Sequence, residues 1–210
     1  MIEGLKLVAA LAAGYLLGSL NAAVIVGRLY GTDITRHGSK SAGLTNTLRV
    51  LGKTAALVVL AGDVLKGIAA CLIGLALGVT VQAGTGVECV SLLAAGAGAV
   101  IGHNWPLYFG FKGGKGALTA AAVMVMIAWP PALISLGLFV LIVASTRFVS
   151  LGTIGATLVF VALSFVPVFG GTLYFQLFAC LLALIIVVKH RENIKRLLAG
   201  TENRLSFSRR

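Results

Sequence analysis

Of the 17 Lys and Arg residues in this chain, 15 fall in four short stretches: from Arg28 to Lys53, from Lys112 to Lys115, at Arg147, and from Lys189 to Arg210. His37, His103 and His190 lie in or beside the same stretches. Between them run long apolar segments, so alternate ends of those segments are basic. That is the pattern the positive-inside rule imposes on a chain that crosses a bilayer repeatedly. It leaves one polar, anion-seeking side for any chemistry.

Composition agrees. The chain is 59% hydrophobic and 11% charged, against about 25% charged in a soluble domain, and its mean hydropathy is +1.02. The bilayer is the solvent that such a surface needs. The net charge of +11 does not imply nucleic acid, because the cations flank apolar spans and lack aromatic interleaving. Cys71, Cys89 and Cys180 are odd in number, show no CxxC spacing, and imply neither a disulfide nor a metal. The first apolar run, about 5–26, exceeds the roughly 7–15 residues of a signal-peptide core and is expected to stay.

The predicted fold is all-α: one membrane domain over residues 1–210, built as a polytopic bundle. Seven segments, 5–27, 54–79, 87–101, 116–129, 131–146, 150–166 and 172–188, are expected as membrane helices of a core about 30 Å thick. Pro130-Pro131 divides the fourth from the fifth, and Pro167 with Gly170-Gly171 divides the last two. The connections 80–86, 129–131 and 167–171 carry no Lys or Arg. They are assigned outside, which puts the N-terminus outside and the C-terminus in the cytoplasm. Gly14xxxGly18, Gly27xxxGly31, Gly74xxxGly78 and Gly98xxxGly102 predict close helix packing.

The polar exceptions are concentrated. Asp63 and Lys66 share one face of the second span, as an internal ion pair or as a brace for a site. The loop Arg36-His-Gly-Ser-Lys-Ser-Ala-Gly-Leu-Thr-Asn-Thr-Leu-Arg49 offers hydroxyls, an amide and small residues whose backbone can curl around an oxyanion. A second loop, Gly102 to Gly116, ends in Lys112-Gly-Gly-Lys-Gly116 and leads straight into a helix, where free N–H groups favour phosphate. It is not a nucleotide-hydrolysing P-loop: Phe109 stands for the first glycine and Gly116 for the Ser/Thr. Beyond the last span, His190 and Asn193 share a helical face within Lys189-His-Arg-Glu-Asn-Ile-Lys-Arg196.

These loops resemble the motifs of the bacterial membrane acyl-phosphate:glycerol-3-phosphate acyltransferases, the PlsY family. That family's GSGNxGATNxxR is similar to Gly38-Ser-Lys-Ser-Ala-Gly-Leu-Thr-Asn46 with Arg49. GHxxPxxxxFKGGKG matches Gly102 to Gly116, and HRENIxRLxxGxE matches His190 to Glu202. DxLKG matches Asp63 to Gly67, and TRYVSL resembles Thr146-Arg-Phe-Val-Ser150-Leu. The resemblance covers nearly the whole chain, in order.

It implies seven helices around a cytoplasm-facing site in the bacterial inner membrane. The implied reaction is transfer of a fatty acyl group from acyl phosphate to the 1-hydroxyl of glycerol 3-phosphate, giving lysophosphatidic acid and phosphate. By motif position, the candidate catalytic residues are Ser39, Lys115, Ser150, His190 and Asn193. The candidate substrate-binding residues are Ser41, Gly43, Thr45, Asn46, Arg49, His103, Lys112, Gly113, Gly114, Gly116 and Glu192, with Asp63 and Lys66 as support. Acyl phosphate, glycerol 3-phosphate and membrane lipids are the expected partners, and neither metal nor cofactor is expected. No histidine begins an HxxxxD signature, since the fifth residues on are Ala42, Tyr108 and Lys195; an acyl-CoA enzyme with a His–Asp base is therefore disfavoured. Lys40, Ser41 and Leu44 depart from the family's first motif. Lys40 stands where a glycine of positive φ would be expected, so either the loop differs or Lys40 supplies a phosphate contact. The rival reading is a transporter of anions or phosphate esters, which would line both faces with polar residues; the external half here is nearly bare.

Overall fold

The computed structural model describes residues 1–84, 86–169 and 171–205, and the chain divides into two compact units. Gly170, expected at a helix break, and Arg209 and Arg210, counted among the orienting cations, lie outside the described residues.

The first unit holds α1 (Ile2–Gly18), α2 (Ala22–Leu29), α3 (Leu44–Leu51), α4 (Lys53–Leu77), α5 (Val90–Asn104) and α6 (Ala117–Ile127). Its centre is α5, twelve of whose fifteen residues are buried. Small residues make that possible. A Cβ on Gly14 or Gly18 would strike the carbonyls of Ala95 or Ala99, and one on Gly98 or Gly102 those of Leu11 or Tyr15. Helices α1 and α5 thus meet backbone to backbone, as the paired glycines predicted. Gly74 seats α4 on Ser91 and Leu92 in the same way. Two of the expected pairings serve otherwise. Gly78 ends α4 in the left-handed conformation, and Gly31, at φ +66°, has open space around it and turns the chain after α2.

The first apolar segment, expected as one helix over 5–27, breaks at residues 19–21. The Asn21 side chain accepts from the Val24 N–H and restarts the chain as α2, while the Ser19 hydroxyl donates to the Tyr15 carbonyl. The break leaves the Leu20 carbonyl without a helical partner, and Lys66 supplies one: its ammonium donates to that carbonyl at 3.1 Å. The same nitrogen lies 2.8 Å from Asp63 Oδ1 and 2.9 Å from His103 Nδ1. Lys66 therefore spends its three donors on α4, on the α1–α2 break and on α5, with both its own side chain and that of Asp63 buried. The expected same-face ion pair is present.

The second unit holds α7 (Trp129–Thr146), α8 (Val149–Ser164), α9 (Leu173–Lys189) and α10 (Arg191–Leu198). Pro130 and Pro131 do not form a connection. They sit in the first turn of α7, where a missing N–H has no helical acceptor to lose. Gly152 admits Val143 and Phe139 between α7 and α8, and Phe160 meets Phe175 edge to face between α8 and α9, with ring centroids 5.6 Å apart. Helix α10 turns 61° from α9 at His190.

All seven apolar segments are helical, with shifted bounds. The third begins late because Thr80–Ala83 (β1) and Gly86–Cys89 (β2) form a two-stranded sheet in place of the expected loop. Among the described residues, three stretches, Ile2–Leu29, Lys53–Leu77 and Trp129–Thr146, are long and apolar enough to cross a membrane, and the bent pair α9–α10 makes up to four.

Replacing Lys66 with Met strands Asp63 as a buried lone charge, and the expected loss is about 3–5 kcal/mol. In detergent unfolding, Asp63→Leu combined with Lys66→Leu is expected to melt above Lys66→Met. A double variant no more stable than the single one would contradict this account of the pair.

Candidate active site

In the first unit, the loop between α2 and α3 is tied by one amide. Asn46, buried in the first turn of α3, accepts from the Ser39 N–H at 2.8 Å and donates to the carbonyls of Ile34 and His37, both at 3.0 Å. The side chain is thus spent on the loop's own backbone, so Asn46 shapes the Ser39 segment. Gly38 lies against it, at φ +58°.

Lys40 has φ +58° as well. The loop keeps the left-handed turn that a glycine would favour, and the lysine bears a cost of about 1–2 kcal/mol for it. Its side chain is exposed. Lys40 joins Arg28, Arg36 and Lys112 around an open depression of about 840 Å³, whose lining includes Gly31, Asp33 and Gly113. Arg36 pairs with Asp33 at 2.9 Å, and the Arg28 guanidinium lies 5.0 Å from the Phe109 ring centre. Lys40 from the first loop and Lys112 from the second thereby face one basic hollow.

The glycine loop is built on α5. Gly114 donates its N–H to the His103 carbonyl at 3.1 Å, and a Cβ there would strike His103 Nε2 and the Ala42 carbonyl. Gly113 is pressed on the His103 carbonyl and Pro106, and Gly116, at φ +75°, on the Asn104 amide. The expected glycines are therefore steric requirements, and Gly114 brings the first and second loops together. His103, buried, is gripped by Lys66 and lies 3.4 Å from the Thr119 hydroxyl. An ammonium only donates, so His103 Nδ1 accepts. His103 thus supports the loop from beneath. Lys115 is half-buried between Gly114 and Gly116, Thr45 and Ser41 are half-buried, and Arg49 is exposed on α3. Gly43 caps α3 with open space around it.

In the second unit, one carboxylate collects the candidates. Glu202 Oε1 accepts from the Ser150 hydroxyl at 2.8 Å and from Asn193 Nδ2 at 2.6 Å, and Oε2 accepts from Arg196 Nε at 2.7 Å. Segment 199–205 returns to the α7–α8 corner, where the Leu205 N–H meets the Arg147 carbonyl and the Arg204 guanidinium lies 5.4 Å from the Phe148 ring centre. Burial raises the Glu202 pKa, but the donors Asn193, Ser150 and Arg196 outweigh it and hold the carboxyl below the usual Glu value. His190, buried at the α9–α10 bend, donates from Nδ1 to the Ile186 carbonyl at 2.8 Å. A carbonyl only accepts, so the neutral ring keeps its lone pair on Nε2. Glu192 stands apart from this cluster: it is exposed and pairs with Lys195 at 3.3 Å and Arg191 at 3.6 Å. Sequence reasoning gave Glu202 and Arg196 no role. The closing glutamate of the third motif was the available signal for Glu202.

The family model described as glycerol-3-phosphate acyltransferase matches residues 8–200. The chain belongs to that family. Among curated relatives, the glycerol-3-phosphate acyltransferase of Shouchella clausii is 40% identical over 95% of this chain and 96% of its own. That of Thermoanaerobacter sp. (strain X514) is 42% identical over 91% of each. Two crystal structures of PlsY, described as an integral membrane glycerol 3-phosphate acyltransferase, are each 34% identical to the chain. The glycerol 3-phosphate form covers 95% of this chain at a TM-score of 0.85, and the lysophosphatidic acid form covers 96% at 0.82; each alignment spans 96% of PlsY.

Gly114→Ala is expected to disrupt the glycine loop and lower the melting temperature, whereas Gly43→Ala, which meets open space, is expected to cost only the weaker N-cap, about 1 kcal/mol. Because the folded Glu202 carboxyl titrates below its unfolded value, its contribution is full above roughly pH 4–5 and is lost as pH falls through the lowered folded value. Glu202→Gln should therefore flatten the acid limb of a stability-against-pH curve; an unchanged limb would remove Glu202 as its source.

Proposed function

We propose that this protein transfers a fatty acyl group from acyl phosphate to the 1-hydroxyl of sn-glycerol 3-phosphate, releasing lysophosphatidic acid and inorganic phosphate. The observation that carries the proposal is a lysine-bearing glycine loop, set on a buried ion pair, in a chain that belongs to the glycerol-3-phosphate acyltransferase family across residues 8–200. Acyl phosphate is already activated, so the enzyme has to place the hydroxyl and stabilise the oxyanion that forms at the acyl carbon.

In this reading residues 1–210 act as one acyltransferase domain. Lys115, Lys112 and the N–H groups of the glycine loop, with Ser39, Ser41, Gly43 and Thr45 of the first loop, hold the acyl-phosphate phosphate. Arg49, His190, Asn193 and Ser150 hold glycerol 3-phosphate. The glycerol oxygen attacks the acyl carbon, the C–O bond to phosphate breaks, and the proton goes to His190 Nε2 or to substrate phosphate. The tautomer that the Ile186 carbonyl selects supports the first route. Asp63 and Lys66 act at a distance, by fixing His103 under the loop. The seven helical segments are read as crossings of the bacterial plasma membrane, with the N-terminus outside and the basic loops in the cytoplasm.

Purified protein is expected to form lysophosphatidic acid from acyl phosphate and glycerol 3-phosphate with no metal or CoA added. Absence of product would end the proposal. Lys115→Ala should lose most turnover while melting like wild type. Lys40→Gly relieves the left-handed strain and should gain up to about 1–2 kcal/mol of stability. If Lys40 holds phosphate, the same change lowers kcat/KM; unchanged or improved activity would show that it does not.

A further inference from the structure

Ser150 and Asn193 are both about 5% exposed, and both give their hydrogens to the same carboxylate. A carboxylate can only accept, so the Asn193 nitrogen must be the atom facing Glu202. The consequence falls on the other end of the amide. Asn193 Oδ1 is buried and has no hydrogen-bond partner among the described residues. An orphaned buried acceptor of this kind costs about 1–3 kcal/mol unless a ligand or water satisfies it. The Ser150 oxygen, its proton committed to Glu202, likewise keeps only lone pairs to offer. What this corner presents is a pair of acceptors.

An acceptor-lined corner repels phosphate and takes a donor. Of the groups on the two proposed substrates, only the glycerol hydroxyls donate. An amide oxygen holds a hydroxyl proton without removing it, which suits the hydroxyl that does not react. We propose that Glu202 is a specificity-determining residue: by drawing the donors of Ser150 and Asn193 to itself, it turns both toward the substrate as acceptors for the secondary hydroxyl of glycerol 3-phosphate. Arg196, bonded to Oε2, holds the carboxylate so that Oε1 faces that pair. This rests on the reaction proposed above.

Glu202→Gln tests it. With the oxygen of the new side chain kept on Arg196, its NH₂ faces Asn193; the Asn193 amide then turns over and offers a donor where the substrate needs an acceptor. The measurement is kcat/KM with acyl phosphate for two acceptors, glycerol 3-phosphate and 3-hydroxypropyl phosphate, which lacks only the secondary hydroxyl. Wild type should prefer glycerol 3-phosphate by on the order of a hundredfold, because a site built around a hydroxyl rejects the analogue without it. Glu202→Gln should cut that preference by about tenfold or more, leaving the rate on the deoxy compound within about threefold. Asn193→Asp combined with Glu202→Gln exchanges donor and acceptor across the pair and restores an oxygen toward the substrate, so the double variant should regain preference over Glu202→Gln alone.

A merely structural glutamate would lower both substrates by one factor, and that result, or an unchanged preference, overturns the proposal. Wild type needs no variant to decide: a preference below about threefold also overturns it. Absence of turnover of glycerol 3-phosphate by wild type would refute the reaction itself, a separate result.

Discussion

The first unit depends on how one buried ammonium is shared. A lysine in an apolar interior is tolerated only when its donors are satisfied, and Lys66 has three acceptors of different origin: a carboxylate on its own helix, a carbonyl released by a helix break, and an imidazole. Removing any one leaves a polar group stranded in the interior. The Asn21 cap that breaks the first apolar segment and the charge in the middle of α4 are therefore one arrangement. The break exposes a carbonyl, and the lysine answers it. The third acceptor, His103, carries that order to the glycine loop, because the backbone on which Gly114 rests is the backbone of the residue that Lys66 holds.

Above that foundation, the loops are shaped by small residues and by amides turned inward. Asn46 spends its amide on Ser39, Ile34 and His37, and Gly114 exists so that His103 and the Ala42 carbonyl can approach. Preorganisation of this kind is what an oxyanion site requires, since donors already aimed need no reorganisation during reaction. Polar residues within a motif thus divide into those that present groups to a ligand and those that hold the presenters still.

Much of this was legible in the residues, and the failures have physical causes. Apolar runs and their Pro and Gly breaks located the seven apolar helical segments, and the three-residue spacing of Asp63 and Lys66 gave their pairing. The break at 19–21 was missed because Ser19 and Asn21 do not interrupt hydropathy; their effect is local hydrogen bonding. Pro130-Pro131 was placed between helices because proline was weighed as a breaker, yet in a first turn it starts one. The hairpin at 80–89 lacked a turn signal strong enough to outweigh the apolar run beside it. Motif spacing named candidate residues but could not give their direction. That Asn46 faces its own loop, that Glu192 faces outward, and that Glu202 gathers Ser150 and Asn193 are facts of three-dimensional reach.

The return of segment 199–205 to the α7–α8 corner bears on how the molecule is made. Ser150 is synthesised 52 residues before Glu202, and α8, α9 and α10 must all be laid down before the carboxylate that orients its hydroxyl exists. During synthesis the earlier helices can insert and pack with this corner still unordered. This corner is therefore completed late in synthesis, only once α10 and Glu202 have been made.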